Sequence, residues 1–209
     1  MEKKLFEKLK GRKAVSFDIF DTLIERKCGN PYVVFDIMEK RYNEQYPFAM
    51  VNNFRELRIQ AEKLARQNSS KNEVSLSDIY ESLATMTGNL HVSFLKDLEK
   101  TIELEQCVAI PEMVEVYHKI RECCDAYIIS DMYLDEEFIS SLLLNCGIRS
   151  PKKLYVSVEY NQTKRSRQLF KMVLRENGLC PWQLTHVGDN WISDYLNPKL
   201  LGIHSFIVK

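Results

Sequence analysis

Apolar and polar positions along this chain switch period twice. The segment "AVSFDIF" (residues 14–20) is mainly apolar and rich in β-favouring side chains, which predicts a first strand. From about Pro31 to Gln106 the spacing becomes helical, with hardly any strand signal. Val34, Ile37 and Met38 start one periodic face. "FRELRIQAEKLARQN" places Phe54, Leu57, Ala61, Leu64 and Ala65 on one stripe with Arg and Glu opposite. On that reading Arg58 and Glu62 form an exposed intrahelical pair. "SLSDIYESLATM" opens on a Ser75 cap and carries Ile79, Leu83 and Met86, and "LHVSFLKDLEKTIELEQ" supplies a further helix. An all-helical block of this length between two strands reads as an insertion rather than a crossover connection.

After Pro111 the pattern becomes strand–helix alternation. Helix "PEMVEVYHKIREC" precedes strand "DAYIISD", helix "DEEFISSLLLNCG" and strand "KLYVSVEY". Helix "RSRQLFKMVLRENG", strand "LTHVGD", a short helix near Ile192–Leu200 and strand "IHSFIV" complete the chain. Proline at a helix start and glycine at a helix end fit these boundaries. Such alternation predicts an α/β fold, a Rossmann-like parallel sheet with helices on its faces. The expected core spans residues 1–28 and 108–209, and the inserted helical domain spans 29–107. In such sheets the active crevice lies beyond the carboxyl ends of the strands.

Composition narrows the function classes. Of 209 residues 45% are apolar, enough for one good-sized core with an insertion. Lys plus Arg and Asp plus Glu both number 29, so no net field attracts nucleic acid or an anionic membrane. The basic start "MEKKLFEKLKGRK" carries Leu5, Phe6 and Leu9 at helical spacing and reads as a short amphipathic lead-in helix. No apolar run has the length of a signal peptide core or a membrane span, so the expectation is a cytoplasmic protein without a membrane span. The six cysteines (28, 107, 123, 124, 146, 180) and four histidines (91, 118, 186, 204) show no metal-ligand spacing. Buried free thiols are expected.

Chemistry concentrates at the strand ends. Asp18 follows the first strand, Ser130 the second and Asp189 the fourth, while Lys164 precedes the helix between the third and fourth. If these strands are adjacent and parallel, the four groups converge. Two carboxylates suit Mg²⁺, which prefers oxygen ligands. A hydroxyl and an ammonium suit the non-transferred oxygens of a phosphoryl group, and a carboxylate can attack phosphorus in line.

Asp18-Ile19-Phe20-Asp21-Thr22, Ser130-Asp131, Lys164 and Gly188-Asp189-Asn190-Trp191-Ile192-Ser193-Asp194 resemble, in order, the four motifs of the haloacid dehalogenase-like (HAD) superfamily. The resemblance covers the whole chain, with the helical block in the place of a C1-type cap. "SFDIFDTLIER" also resembles the branch associated with bacterial glycosyltransferases and surface-polysaccharide biosynthesis. The resemblance implies Asp18 as nucleophile and Mg²⁺ ligand, with the Phe20 backbone carbonyl and Asp189 as further ligands. It implies that Asp194 braces the metal's waters, Thr22 orients the loop, Ser130 and Asp131 meet the substrate, and Lys164 holds nucleophile and phosphate together. Arg26, Tyr133 and Arg58 are further candidates for substrate contact across the crevice. The implied partner is a small phosphorylated metabolite, a sugar phosphate among the candidates, acted on by a monomer or homodimer.

Phe20 departs from that pattern. Most HAD phosphatases carry a second aspartate at this position, which protonates the leaving oxygen and then activates water. General acid–base catalysis of this kind is typically worth 10²–10⁴-fold. On an extended chain Asp21 points to the other side and does not replace it. Three readings follow: a Mg²⁺-dependent phosphohydrolase acting on an activated leaving group or borrowing an acid; a weakly active or inactive module binding a phosphorylated ligand or partner; and a metal-independent 2-haloacid dehalogenase. Retained metal carboxylates argue against the last.

Overall fold

The computed structural model describes residues 2–88 and 90–208, and contacts divide it into two units, Met1–Glu25 with Val108–Lys209 and Arg26–Cys107. Helix α1 (Glu2–Leu9) leads into strand β1 (Ala14–Phe17), and a short strand β2 (Ile24–Arg26) follows. The second unit holds helices α2 (Val33–Gln45), α3 (Phe54–Asn68), α4 (Leu76–Thr87) and α5 (Val92–Gln106). Strand β3 (Cys107–Ala109) pairs with β2 in a two-stranded sheet that the sequence pattern does not announce. The first unit then resumes with α6 (Pro111–Cys123), β4 (Asp125–Ser130), α7 (Glu136–Asn145) and β5 (Lys153–Val156). A helical turn α8 (Ser157–Tyr160), α9 (Gln168–Glu176), β6 (Leu184–Gly188), α10 (Asn197–Leu200) and β7 (His204–Ile207) complete it. No helix among the described residues is long and apolar enough to cross a membrane.

Five parallel strands form the sheet in the order β5-β4-β1-β6-β7. The α/β fold with a parallel sheet and flanking helices is therefore as expected. Strand β1 is central and fully buried, so its residues are apolar or hydrogen-bonded on both faces. Alternation along the strands divides the core. Ala14, Tyr127, Ile129, Tyr155 and Leu184 pack against Leu169, Phe170 and Val173 of α9. Phe17, of opposite parity to Ala14, meets Tyr117 of α6 edge-on with ring centroids 5.4 Å apart. Ser16 and His186 lie opposite one another in the β1–β6 register, and by parity both belong to the α9 face.

Local signals set most helix boundaries. Ser75 caps α4 in a reciprocal pair with Asp78, and Pro111 opens α6 where its missing N–H goes unneeded. Two expectations are corrected. Strand "KLYVSVEY" stops at Val156, because the chain turns helical where the Ser157 hydroxyl accepts the Met132 N–H at 2.8 Å. Helix α9 starts at Gln168 rather than near Arg165, after a residue, Arg167, with φ 67°. The expectation of buried thiols holds for Cys107, whereas Cys123 and Cys180 are exposed and the other three intermediate.

In the helical unit, Arg58 overturns its assignment to an exposed face. It stands four residues after Phe54 and three before Ala61, so it shares the buried stripe of α3 and is 0% exposed. Its Nε and Nη2 donate to the two Glu99 oxygens, each at 2.8 Å, and the Tyr80 hydroxyl donates to Glu99 at 2.7 Å. The guanidinium also lies 5.0 Å from the Phe35 ring centroid. Glu62 keeps a longer contact at 3.2 Å, so the intrahelical pair exists as the lesser partner of a buried network. Arg26 is similarly engaged, with two bonds of 2.9 and 3.0 Å to Glu103.

Candidate active site

Asp18 leaves the sheet at the carboxyl end of β1, where its N–H still donates to the Val187 carbonyl at 2.9 Å. The chain then tightens into a turn in which the Ile19 carbonyl accepts from Leu23 and Ile24 at 2.8 and 3.0 Å. Asp21 sits within that turn at φ 55°, a left-handed conformation that aspartate tolerates better than most residues. The premise of an extended chain at Asp21 is thus corrected. Its carboxylate lies close enough to Asp189 to raise that group's pKa. Thr22 is buried in this turn, its hydroxyl has no hydrogen-bond partner among the described residues, and backbone bonds close the loop.

Lys164 ties the site together. Its ammonium donates to Asp18 Oδ1 at 2.7 Å and to Asp194 Oδ1 at 2.6 Å, and the lysine is only 2% exposed. Its backbone is held from two sides. Asp131 accepts from the N–H groups of Lys164 and Arg165 at 2.7 and 3.3 Å, and Asn197 donates to the carbonyls of the same two residues. Asp131, expected to meet substrate, is thereby engaged in placing the lysine. Ser130 ends β4 beside β1, and is buried at the same edge of the sheet as Asp18.

Beyond β6, Asn190 accepts the N–H groups of Ile192 and Ser193 and so caps a π-helical segment, Trp191–Leu196, that carries Asp194. The Asp194 carboxylate is fully buried. Its Oδ2 accepts the Asn190 N–H at 3.0 Å, and its Oδ1 meets His186 Nε2 at 3.2 Å as well as Lys164. Gly188 makes this approach possible: a Cβ there would stand 2.5 Å from Asp194 Cβ. Its role is the space a missing side chain leaves.

Carboxylate oxygens of Asp18, Asp189 and Asp194 all lie within 4.8 Å of one another. Three carboxylates gather around one ammonium, and burial and charge move their pKa values in different directions. Burial pushes Asp18 up to about 6, with Lys164 opposing and Asp194 adding to the rise. Burial likewise raises Asp189, helped by Asp194 and Asp21. Burial would raise Asp194 too, but Lys164 and the His186 hydrogen bond outweigh it and hold that carboxyl well below its usual range. Lys164 is held above its ordinary value: burial acts against the charge, and Asp18, Asp194 and Asp131 overcome it. A compact all-oxygen donor set with surplus negative charge fits a hard divalent cation such as Mg²⁺.

No protein-family model matches the sequence, and no curated protein matches it. Solved structures do. The HAD family enzyme BT-2542 from Bacteroides thetaiotaomicron aligns at a TM-score of 0.67 with 17% identity, over 96% of this chain and 95% of that one. This chain shares the HAD fold. A second structure of the same enzyme, in complex with magnesium and inorganic phosphate, aligns at 0.64. The putative HAD-hydrolase YfnB from Bacillus subtilis, bound to magnesium, aligns at 0.63 with 14% identity over 92% of this chain and 86% of that one. A 2-haloacid dehalogenase from Pseudomonas syringae aligns at 0.67 with 16% identity, over 92% and 84%. Within the HAD fold, Asp18, Lys164 and Asp194 are drawn together by direct bonds, and Ser130 and Asp189 emerge at neighbouring strand ends. Arg26 and Arg58 belong to the other unit and are ion-paired inside it.

Sequence reasoning missed His186 and Ser16. Strand parity could have found both: each stands two residues before a motif residue, Gly188 or Asp18, on the same face.

Proposed function

We propose that this chain is a Mg²⁺-dependent hydrolase of the HAD superfamily that uses Asp18 to attack the phosphorus of a small phosphorylated metabolite. The observation that supports it most is the bridging ammonium of Lys164 between Asp18 and Asp194, with Asp189 beside them. Asp18, Asp189 and the Phe20 carbonyl would hold the cation, with Asp194 bracing its waters; the cation when bound offsets charge on the phosphoryl oxygens. Lys164 fixes Asp18 Oδ1, leaving Oδ2 as the attacking atom. Attack forms an Oδ2–P bond as the bond from phosphorus to the leaving oxygen breaks; water then cleaves the aspartyl-phosphate and releases phosphate. Ser130 and Lys164 bind the non-transferred oxygens. With Phe20 in place of an acid, the leaving oxygen takes its proton from solvent, so substrates with good leaving groups react fastest. In this reading the helical unit acts as a C1-type cap and the protein works in the cytoplasm. Sugar phosphates of surface-polysaccharide synthesis are the first substrates to try.

Phe20 also favours a second reading, a HAD module that binds a phosphorylated ligand with little turnover. The test is phosphate release from acetyl phosphate, p-nitrophenyl phosphate and a panel of sugar phosphates, with and without Mg²⁺. Mg²⁺-dependent turnover abolished by Asp18→Asn supports hydrolysis. Phosphate binding without turnover supports the second reading, and halide release from 2-haloacids in EDTA overturns both.

A further inference from the structure

We propose that His186 is a positioning residue for Asp194, its imidazole holding that carboxylate in the orientation that completes the metal and lysine contacts. The inference deepens the proposed Mg²⁺ site and rests on that reading. His186 is 0% exposed on β6, and its two ring nitrogens face Ser16 and Asp194. Nδ1 lies 2.8 Å from Ser16 Oγ, and Nε2 lies 3.2 Å from Asp194 Oδ1. The Phe170 ring stands edge-on at 4.9 Å between centroids and restricts the imidazole plane.

Donor and acceptor chemistry decides the arrangement. An ionised carboxylate only accepts, so Nε2 must carry a hydrogen to face Asp194 without repulsion. With the ring neutral, the Ser16 hydroxyl donates to Nδ1 and pins that tautomer. A continuous line results: Ser16 hydroxyl, imidazole, Asp194 carboxylate, Lys164 ammonium, Asp18 carboxylate. Both Asp194 oxygens are engaged from the protein side, Oδ1 by His186 and Lys164 and Oδ2 by the Asn190 N–H. Without the imidazole, Oδ1 keeps one donor and the carboxylate can rotate away from Asn190. Partners behind metal carboxylates commonly change metal affinity by 10–100-fold when removed.

Two readouts on the full chain test this. The first is Mn²⁺ affinity by electron paramagnetic resonance, with Mn²⁺ as a stand-in for Mg²⁺. His186→Phe, which keeps the ring volume and lacks a donor, is expected to weaken binding about tenfold or more. Ser16→Ala, which only unpins the tautomer, should weaken it less, and His186→Gln should restore most of the affinity. The second is hydrogen exchange of the Asn190 amide in metal-free protein, expected to quicken about tenfold in His186→Phe as Asp194 loosens. A merely space-filling histidine would leave both unchanged in His186→Phe, and that result overturns the inference. If His186→Phe fails to fold, Ser16→Ala decides by the same two measurements, unchanged values again refuting it. If the wild type binds no Mn²⁺, the metal reading fails, while the Asn190 amide still decides the positioning role.

Discussion

Gly188→Ala probes the closest packing in the site. The added Cβ would stand 2.5, 2.5 and 2.6 Å from Asp194 Cβ, Cγ and Oδ2. Carbon atoms prefer about 3.5–4.0 Å, so Asp194 must retreat by about 1 Å. It has nowhere free to go, because it is fully buried and both oxygens accept hydrogen bonds. Overpacking of this kind costs about 1–3 kcal/mol, a fall of about 2–4 °C in Tm for each kcal/mol in a chain of this size. The functional loss should be larger in proportion, since a misplacement of about 1 Å can cost about 10²-fold in rate. Thermal melts and Mg²⁺-dependent hydrolysis of acetyl phosphate, run on the same preparation, give both numbers. The expected outcome is a modest drop in Tm with turnover reduced about a hundredfold and a raised Mg²⁺ requirement. A variant that keeps the wild-type Tm and Mg²⁺ dependence would show that Asp194 is not held where its contacts place it.

Two further predictions follow from buried charge. The folded pKa of Asp18, about 6, lies above its ordinary 3.8, so its protonated form favours the fold. That contribution is complete below about pH 3.8 and lost as pH rises through about 6, a span of about 3 kcal/mol. In EDTA, the stability advantage of Asp18→Asn over wild type in urea titrations should therefore grow between pH 4 and 7, and a flat difference refutes the assignment. In the helical unit, Glu99→Ala leaves Arg58 charged and buried, which should cost about 3–5 kcal/mol. The pair Arg58→Met with Glu99→Leu should recover most of it, and a Glu99→Ala melt equal to wild type would contradict the network.

Periodicity made the architecture legible: the change from strand spacing to helical spacing and back marks an α/β sheet interrupted by helices. Ser75 and Pro111 act within one turn of themselves, so their effects were readable without tertiary context. Arg58 was misread because the charged side chain outweighed its position in the stripe. What buries it is Glu99, 41 residues away, with Tyr80 and Phe35 around it. The turn after Asp18 shows the same limit. Alternation predicts an extended chain there, whereas backbone bonds donated to the Ile19 carbonyl curl it, with Asp21 at φ 55°.

The sequence by itself determined which residue types stand at the strand ends, because parallel strands deliver whatever follows them to one edge of the sheet. Only the tertiary structure decided their partners. Lys164 reaches Asp18 and Asp194 because the order β4-β1-β6 brings their strands together and Asp131 and Asn197 hold its backbone. His186 joins them because Ser16 lies opposite it in register and Gly188 leaves room for Asp194. Pairings of this kind depend on distances across a sheet, and one-dimensional spacing carries no measure of those.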